Sequence, residues 1–188
     1  IPLRLVGSEM CIRDRYMGSK SRIVDNILPI IQERLRDYNI KTYIEPFCGG
    51  CNVIDKVQCD IKIASDNHKY LIEMFKNLNQ IQNLPEFITK EHYSDVRKCF
   101  NKGLSQYPDW YIGAVGFLSS YNGRFFDGGY SGIVYTKAGT ERNYYDEAKR
   151  NLLEQIPRLE DIQFQCGDYK ELYSDKVDCL FYCDIPYK

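Results

Sequence analysis

Strand-like stretches of this chain end repeatedly in an acidic side chain or in glycines. The stretches are residues 42–47, 61–65, 162–166 and 179–183. Asp66, Asp168 and Asp184 follow three of them, and a turn at residues 48–52 follows the first. Helical patterns separate the stretches, which predicts an α/β fold with a parallel sheet. If the strands are neighbours, all four features face one crevice, because ligands bind beyond the carboxyl ends of such strands.

Composition predicts a globular domain. The 188 residues are 44% hydrophobic and 27% charged, which favours a packed core over disorder. The net charge of −1 does not indicate a nucleic-acid binder, although a local basic face is compatible with it. The sequence lacks a membrane-length apolar run and a signal peptide, so we expect no membrane association. Eight cysteines without such a signal favour reduced thiols in a cytoplasm.

The turn after the first stretch reads Cys48-Gly49-Gly50-Cys51-Asn52. Paired glycines allow a tight turn and a close backbone approach to a ligand. The turn is not GxGxxG, which disfavours a dinucleotide-dependent oxidoreductase. Cys48 and Cys51 form a CxxC, so a redox pair and a zinc site are alternatives, although no second ligand pair is evident.

Two further residues each admit two interpretations. Asp66 stands where an acid binds ribose hydroxyls in nucleotide-binding α/β folds, but Asp66 or Asn67 could equally cap a helix over residues 68–78. We expect His68 to be a surface residue of that helix. Lys20 is predicted in the first turn of an N-terminal helix, where a cation is unfavourable, which indicates an anionic partner. A solvated lysine is the alternative.

Residues 80–146 differ in character from their surroundings. Helical patterns at residues 91–101 and 110–121 lead into a segment, 121–132, whose Asn-Gly and Gly-Gly pairs predict a hairpin or a long loop. Basic and aromatic groups there suit phosphate contact, base readout or stacking. The alternative is an ordinary irregular insertion. A helix is then predicted over residues 141–156, ended by Pro157.

The remaining chemistry points to a cofactor. The chain has two histidines, and neither a serine–histidine pair nor a metal-ligand cluster is evident. Glycines for close approach, Asp66 for ribose and Asp168 for an adenine amine suit a nucleoside-containing cofactor. Asp184 and Tyr187 remain for a second substrate. We therefore expect the cofactor to carry the chemistry while the protein orients it.

From Tyr16 to Lys188 the chain resembles the Dam-like class of adenine-specific DNA methyltransferases, particularly its phage-type members. The motifs, in family order, are YMGSK at 16–20, EPFCGGCN at 45–52, SDN at 65–67 and DIPY at 184–187, with CGDY at 166–169 as a weaker fifth. The resemblance implies a Rossmann-like methyltransferase fold with an inserted helical and hairpin target-recognition region. It also implies sequence-specific methyl transfer from S-adenosylmethionine to the adenine amine of double-stranded DNA, without a metal.

The resemblance also implies residue roles. The residues expected to bind the cofactor are Tyr16, Lys20, Glu45, Pro46, Phe47, Gly49, Gly50, Asp66 and Asp168. Catalysis falls to Asp184, Ile185, Pro186 and Tyr187. DNA contact falls to Tyr121, Asn122, Arg124 and Tyr130. Among these, Asp184 and the carbonyl of Ile185 would accept hydrogen bonds from the target amine, and Tyr187 would stack on a base flipped out of the duplex.

Two departures from the family pattern affect these expectations. Cys51 replaces a glycine, which is tolerable if its φ stays negative. DIPY replaces DPPY, so Ile185 supplies the carbonyl but lacks the fixed φ of proline. Two other functions are alternatives to adenine methylation of DNA. One is methylation of a cytosine amine or of RNA, and the other is DNA or nucleotide binding by an inactive remnant.

The motif positions also predict the organisation of the chain. Residues 1–15 resemble translated sequencing adapter, with a genuine N-terminal arm as the alternative. Residues 16–79 and 147–188 would form the catalytic domain, and residues 80–146 the target-recognition region. The family continues past DPPY with further strands, so we expect an incomplete sheet with an unpaired edge. We expect a monomer.

Overall fold

The computed structural model describes residues 20, 23–135, 139–173, 175 and 177–185. The predictions for residues 1–15, Tyr16, Pro186 and Tyr187 therefore lie outside the described residues. The helices are α1 Val24–Asp37, α2 Lys69–Lys76, α3 Lys90–Lys102, α4 Asp109–Leu118, α5 Tyr144–Leu159 and α6 Tyr169–Tyr173. The strands are β1 Thr42–Glu45, β2 Ile61–Asp66, β3 Ile133–Tyr135, β4 Glu141–Asn143, β5 Ile162–Cys166 and β6 Cys179–Phe181. Short 3₁₀ helices span Ile54–Lys56, Leu78–Asn83 and Tyr121–Gly123.

Four strands form a parallel sheet in the order β5-β2-β1-β6. The register pairs Thr42 with Ile61 on one side and with Cys179 on the other. All four strands therefore end at one edge of the sheet, as predicted. The outer edge of β6 has no partner strand among the residues that the structure describes. β6 is shorter than the buried strand predicted over residues 179–183. It is also more exposed, because β1 is its one neighbouring strand in the part of the chain that the structure describes.

The side chains of β1 alternate between two cores, as a pleated strand requires. Tyr43, fully buried, belongs to the large core that also contains residues of α1, α2, α4 and α5. Ile44, also fully buried, belongs to a small cluster with Ile63 of β2 and Tyr173 of α6. Among the described residues, no helix is long and apolar enough to cross a membrane.

The segment of residues 80–146, predicted to be an insertion, contains α3, α4 and a β3–β4 hairpin. It packs onto the rest of the chain where α4 crosses α2. A Cβ added at Gly113 would lie 2.1 Å from the carbonyl oxygen of Tyr70, so the two helix backbones touch at this glycine. The position admits only glycine because any side chain would push the insertion away from α2.

Several predicted element boundaries differ from those of the structure. Lys20 precedes α1, which starts at Val24 and continues through Pro29, so the lysine is not in its first turn. The segment 121–132, predicted as a hairpin or a long loop, is a loop closed by a bridge between Ser120 and Tyr130, and the hairpin lies further along the chain.

The helix predicted over residues 141–156 starts at Tyr144 and ends at Leu159. Glu141–Asn143 pair with β3 instead of joining the helix, and the Asn143 side chain caps it by accepting a hydrogen bond from the Asp146 N–H. The helix runs two residues past Pro157, because proline removes one hydrogen bond near the end of a helix that tertiary packing already holds.

Candidate functional site

The glycine turn follows β1 at the carboxyl edge of the sheet. The Cys51 N–H donates to the Cys48 carbonyl over 2.8 Å, which closes the turn, and Gly49 has a φ of 46°. The φ of Cys51 is 56°, so the expectation of a negative value is wrong. Cys51 is fully buried and keeps a conformation that residues with a side chain rarely adopt.

Asp66 connects the end of β2 to this turn. Its Oδ2 accepts from the Gly49 N–H at 3.3 Å, and its Oδ1 accepts from the His68 N–H at 2.9 Å. Neither Asp66 nor Asn67 caps α2. The cap is His68, whose Nδ1 accepts from the Leu71 N–H at 3.3 Å.

His68 is not a surface residue, contrary to expectation. Its ring is half-buried and makes edge contacts with Phe117 and Phe125, at centroid distances of 5.0 and 4.5 Å. Burial lowers the pKa of the imidazole, which favours the neutral form that the cap needs. The sequence could not indicate this burial, because the two phenylalanines belong to residues 80–146 and lie far from His68 in sequence.

The end of β5 contributes an acid and an aromatic ring. Asp168 is exposed, and its Oδ1 accepts from the Lys170 N–H at 2.8 Å. Tyr169 lies 5.2 Å from Phe47 between ring centroids, with the planes tilted by 53°. Sequence reasoning assigned Tyr169 no role, although it lies within the CGDY motif. Two rings from separate strand ends thus flank the Asp168 side of the crevice.

Behind the turn, Glu45 is buried. It is 3% exposed, and its Oε2 accepts from the Ile54 N–H at 3.0 Å. Burial raises the pKa of Glu45 to about 8, and the nearby carboxylate of Asp184 adds to the increase. At neutral pH this side chain is therefore mostly protonated. Pro46, also buried, accepts a hydrogen bond from the Ser65 hydroxyl at its carbonyl.

Asp184 follows β6 and pairs with Lys20. The Lys20 Nζ and the Asp184 Oδ2 are 2.6 Å apart, and the two side chains are 16% and 21% exposed. The anionic partner predicted for Lys20 is thus, in this structure, a side chain of the same protein. Ile185 is 63% exposed.

Helix α5 contacts the glycine turn through residues that sequence reasoning missed. The Gln155 Nε2 lies 3.2 Å from the carbonyl oxygens of Gly50 and Cys51 and from the Asp55 Oδ2. The Arg158 Nε also donates to the Asp55 Oδ2, at 3.1 Å. About a hundred residues separate α5 from the turn in sequence, so no local pattern could have indicated these contacts.

The residues predicted to contact DNA divide into two groups. Tyr121 is 55% exposed, Asn122 is exposed with a φ of 53°, and Arg124 is exposed and pairs with Asp127. Tyr130 instead donates its hydroxyl to the Ile88 carbonyl and packs against Tyr93. The structure therefore presents three of the four side chains on a surface and packs the fourth inside the insertion.

The CxxC interpretations gain no support. Cys48 and Cys51 are unbridged and buried, and burial raises the pKa of the Cys51 thiol. In the part of the chain that the structure describes, no three His, Cys, Asp or Glu side chains group as a metal site.

A parallel sheet of this order, with a glycine turn after β1 and acids after β2, β5 and β6, has the form of a Rossmann-like methyltransferase fold. The chain belongs to the D12 class of N6 adenine-specific DNA methyltransferases, because the model of that family matches residues 16–188.

Curated relatives are similar at low identity. The type II methyltransferase M.MjaIII of Methanocaldococcus jannaschii is 26% identical over 93% of this chain, which spans 68% of that relative. The DNA adenine methylase of Vibrio cholerae is 25% identical over 92% of the chain, which spans 64% of it. The type II methyltransferase M.FokI of Planomicrobium okeanokoites is 25% identical over 92%, and here the chain spans 28% of the relative.

Proposed function

We propose that this protein transfers a methyl group from S-adenosylmethionine to the exocyclic amine of adenine in double-stranded DNA. The observation that carries the proposal is the parallel sheet, which brings the glycine turn, Asp66, Asp168 and Asp184 to one edge. Family membership supports the same chemistry and the same substrate.

The residues of this edge fit the cofactor. Each carboxylate oxygen of Asp66 accepts one hydrogen bond, from the N–H of Gly49 or of His68, and a carboxylate has about four acceptor positions. Capacity remains for two ribose hydroxyls. Asp168 is exposed, and the rings of Phe47 and Tyr169 lie beside it, which suits a purine and its amine. When bound, the cofactor supplies an electrophilic methyl group.

Asp184 is suited to orient the target amine. Lys20 engages its Oδ2 and holds that oxygen in place, while Oδ1 retains capacity to accept from an amine N–H. The Ile185 carbonyl would accept the second amine hydrogen. With both hydrogens held, the nitrogen lone pair is directed at the methyl group, and this orientation supplies much of the acceleration.

DNA would approach from the side of the insertion. Tyr121, Asn122 and Arg124 are exposed there and combine an aromatic ring, an amide and a cation, which suit stacking and phosphate or base-edge contacts. The target adenine has to leave the stack, at a cost of a few kcal/mol, before its amine can reach Asp184. Pro186 and Tyr187 complete the proposed catalytic motif.

The Asp184→Ala variant tests the proposal. We expect methyl transfer to duplex DNA to fall at least about 100-fold, because one acceptor for the amine is lost, while S-adenosylmethionine binding stays near the wild-type value. The matched control is Asp161→Asn, an exposed acid directly before β5 at the opposite edge of the sheet. Transfer of labelled methyl groups, followed by mass spectrometry of the nucleosides, measures both rate and product.

Each outcome has a distinct meaning. Unchanged transfer by Asp184→Ala contradicts the assignment of that residue. A product of N4-methylcytosine, or transfer only to RNA, contradicts the assigned base or nucleic acid.

A further inference from the structure

Gln155 of α5 makes an unusual set of contacts for a half-buried glutamine. Its Nε2 lies 3.2 Å from each of three acceptors, namely the carbonyl oxygens of Gly50 and Cys51 and the Asp55 Oδ2. One amide has two N–H groups, so these acceptors share them. The two carbonyls belong to the glycine turn that the proposed function assigns to the cofactor.

Asp55 anchors this contact. It is 5% exposed, and both of its oxygens are engaged. Oδ2 accepts from the Arg158 Nε at 3.1 Å, and Oδ1 lies 2.6 Å from the Lys56 Nζ, which also donates to the Asn52 carbonyl at 2.7 Å. A buried carboxylate paired on both sides is a rigid reference point. Gln155 thus connects the turn to a fixed group rather than to a mobile one.

The glycine turn needs such external support. Cys51 holds a left-handed φ with its side chain fully buried, a conformation that persists when the surroundings determine it. Asp66 holds the N–H of Gly49 on one side of the turn, and Gln155 holds the carbonyls on the other.

Packing alone does not fix the turn on the Gln155 side. A cavity of about 120 Å³ lies there, lined by Gly50, Asn52, Leu152 and Gln155 among others. The turn therefore has space into which it could relax toward α5 if the hydrogen bonds were removed. The hydrogen bonds of Gln155, rather than close contact, oppose that movement.

We propose that Gln155 is a positioning residue for the cofactor, holding the carbonyls of Gly50 and Cys51 so that the glycine turn keeps its binding shape. The proposal rests on the proposed function in one respect, the identity of the cofactor. The N-terminal half of α5 is held independently, since the Lys149 Nζ donates to the carbonyl of Leu84 at 2.6 Å.

The test compares substitutions on the same helix. Gln155→Met keeps the size of the side chain and removes the donor. Lys149→Met, the control, also removes a donor to main-chain carbonyls but does not touch the turn. Titration calorimetry with S-adenosylmethionine is expected to show binding weakened at least about tenfold in Gln155→Met and by less than about twofold in the control. With DNA, KM for the cofactor is expected to rise more than kcat falls.

A third variant separates positioning from general stability. In Gln155→Glu an ionised carboxylate faces three acceptors and repels them, whereas a protonated one can donate to a carbonyl. Its affinity relative to wild type is therefore expected to recover as the pH is lowered from 8 to 5.5. Gln155→Met is expected to show no such recovery. A change in thermal stability alone would not produce this pH profile.

Two results would overturn the proposal: unchanged affinity in Gln155→Met, or an equal loss in the Lys149→Met control. If the wild-type protein binds no S-adenosylmethionine, the proposed cofactor is contradicted, and amide hydrogen exchange of the ligand-free protein then decides the positioning role. Faster exchange at the amides of Cys51 and Asp55 in Gln155→Met, but not in the control, supports it. Equal exchange in both variants refutes it.

Discussion

Replacing Glu45 by glutamine should change how the stability of this protein depends on pH. Glu45 is 3% exposed and accepts from the Ile54 N–H at 3.0 Å, a bond that a glutamine carbonyl can also accept. Burial raises its pKa from 4.5 to about 8, with Asp184 adding to the increase. The folded state therefore binds this proton more tightly than the unfolded state.

The sign of the effect follows from proton binding. Between pH 4.5 and about 8 the folded protein carries the proton and the unfolded chain has lost it, so stability falls as the pH rises through this window. One proton gives a slope approaching about 1.4 kcal/mol per pH unit. The wild-type protein should therefore lose on the order of 3 kcal/mol between pH 5 and pH 8 through this group alone.

Urea unfolding followed by circular dichroism at pH 5, 6, 7 and 8 measures the difference. We expect Glu45→Gln to lie within about 1 kcal/mol of wild type at pH 5 and to be the more stable protein at pH 8, because an amide carries no charge to bury. Glu154→Gln, at an exposed position of α5, is the control and should follow the wild-type profile. Parallel profiles for Glu45→Gln and wild type would refute the reasoning.

Two further substitutions test the backbone geometry that supports the site. Cys51→Gly should be more stable than Cys51→Ala by about 1 kcal/mol, because glycine adopts the left-handed φ of 56° without cost and alanine does not. Chemical denaturation of both variants measures this difference, and the reverse order of stability would contradict the prediction. Gly113→Ala should destabilise by about 2 kcal/mol or more, although alanine favours helices, because its Cβ would lie 2.1 Å from the Tyr70 carbonyl oxygen. A stabilised Gly113→Ala in thermal unfolding would show that α2 and α4 are not in backbone contact.

The elements of the sheet were largely predictable, whereas several helix boundaries were not. Strand β5 was predicted with its observed bounds, because its alternation and flanking turns are local signals. The start of α5 was misplaced because Glu141–Asn143 pair with β3, and that pairing outweighs helix propensity. Pro157 did not end α5, since packing of a helix can outweigh the loss of one hydrogen bond.

The sequence by itself determined the class of fold, the order of the motifs and the acids that follow the strands. These depend on local periodicity and on residue types at strand ends, both of which are read along the chain. The sequence also indicated the glycine turn, and it indicated that residues 80–146 lack the strand-and-helix alternation of the rest of the chain.

Only the tertiary structure decided which groups meet. It pairs Lys20 with Asp184, and it joins Gln155 to a turn about a hundred residues earlier. It also makes His68 a half-buried cap and turns Cys51 to a positive φ, against expectation. The physical reason is the same in each case: burial, ion pairing and backbone strain depend on neighbours that are distant in sequence, and chain folding alone brings those neighbours together.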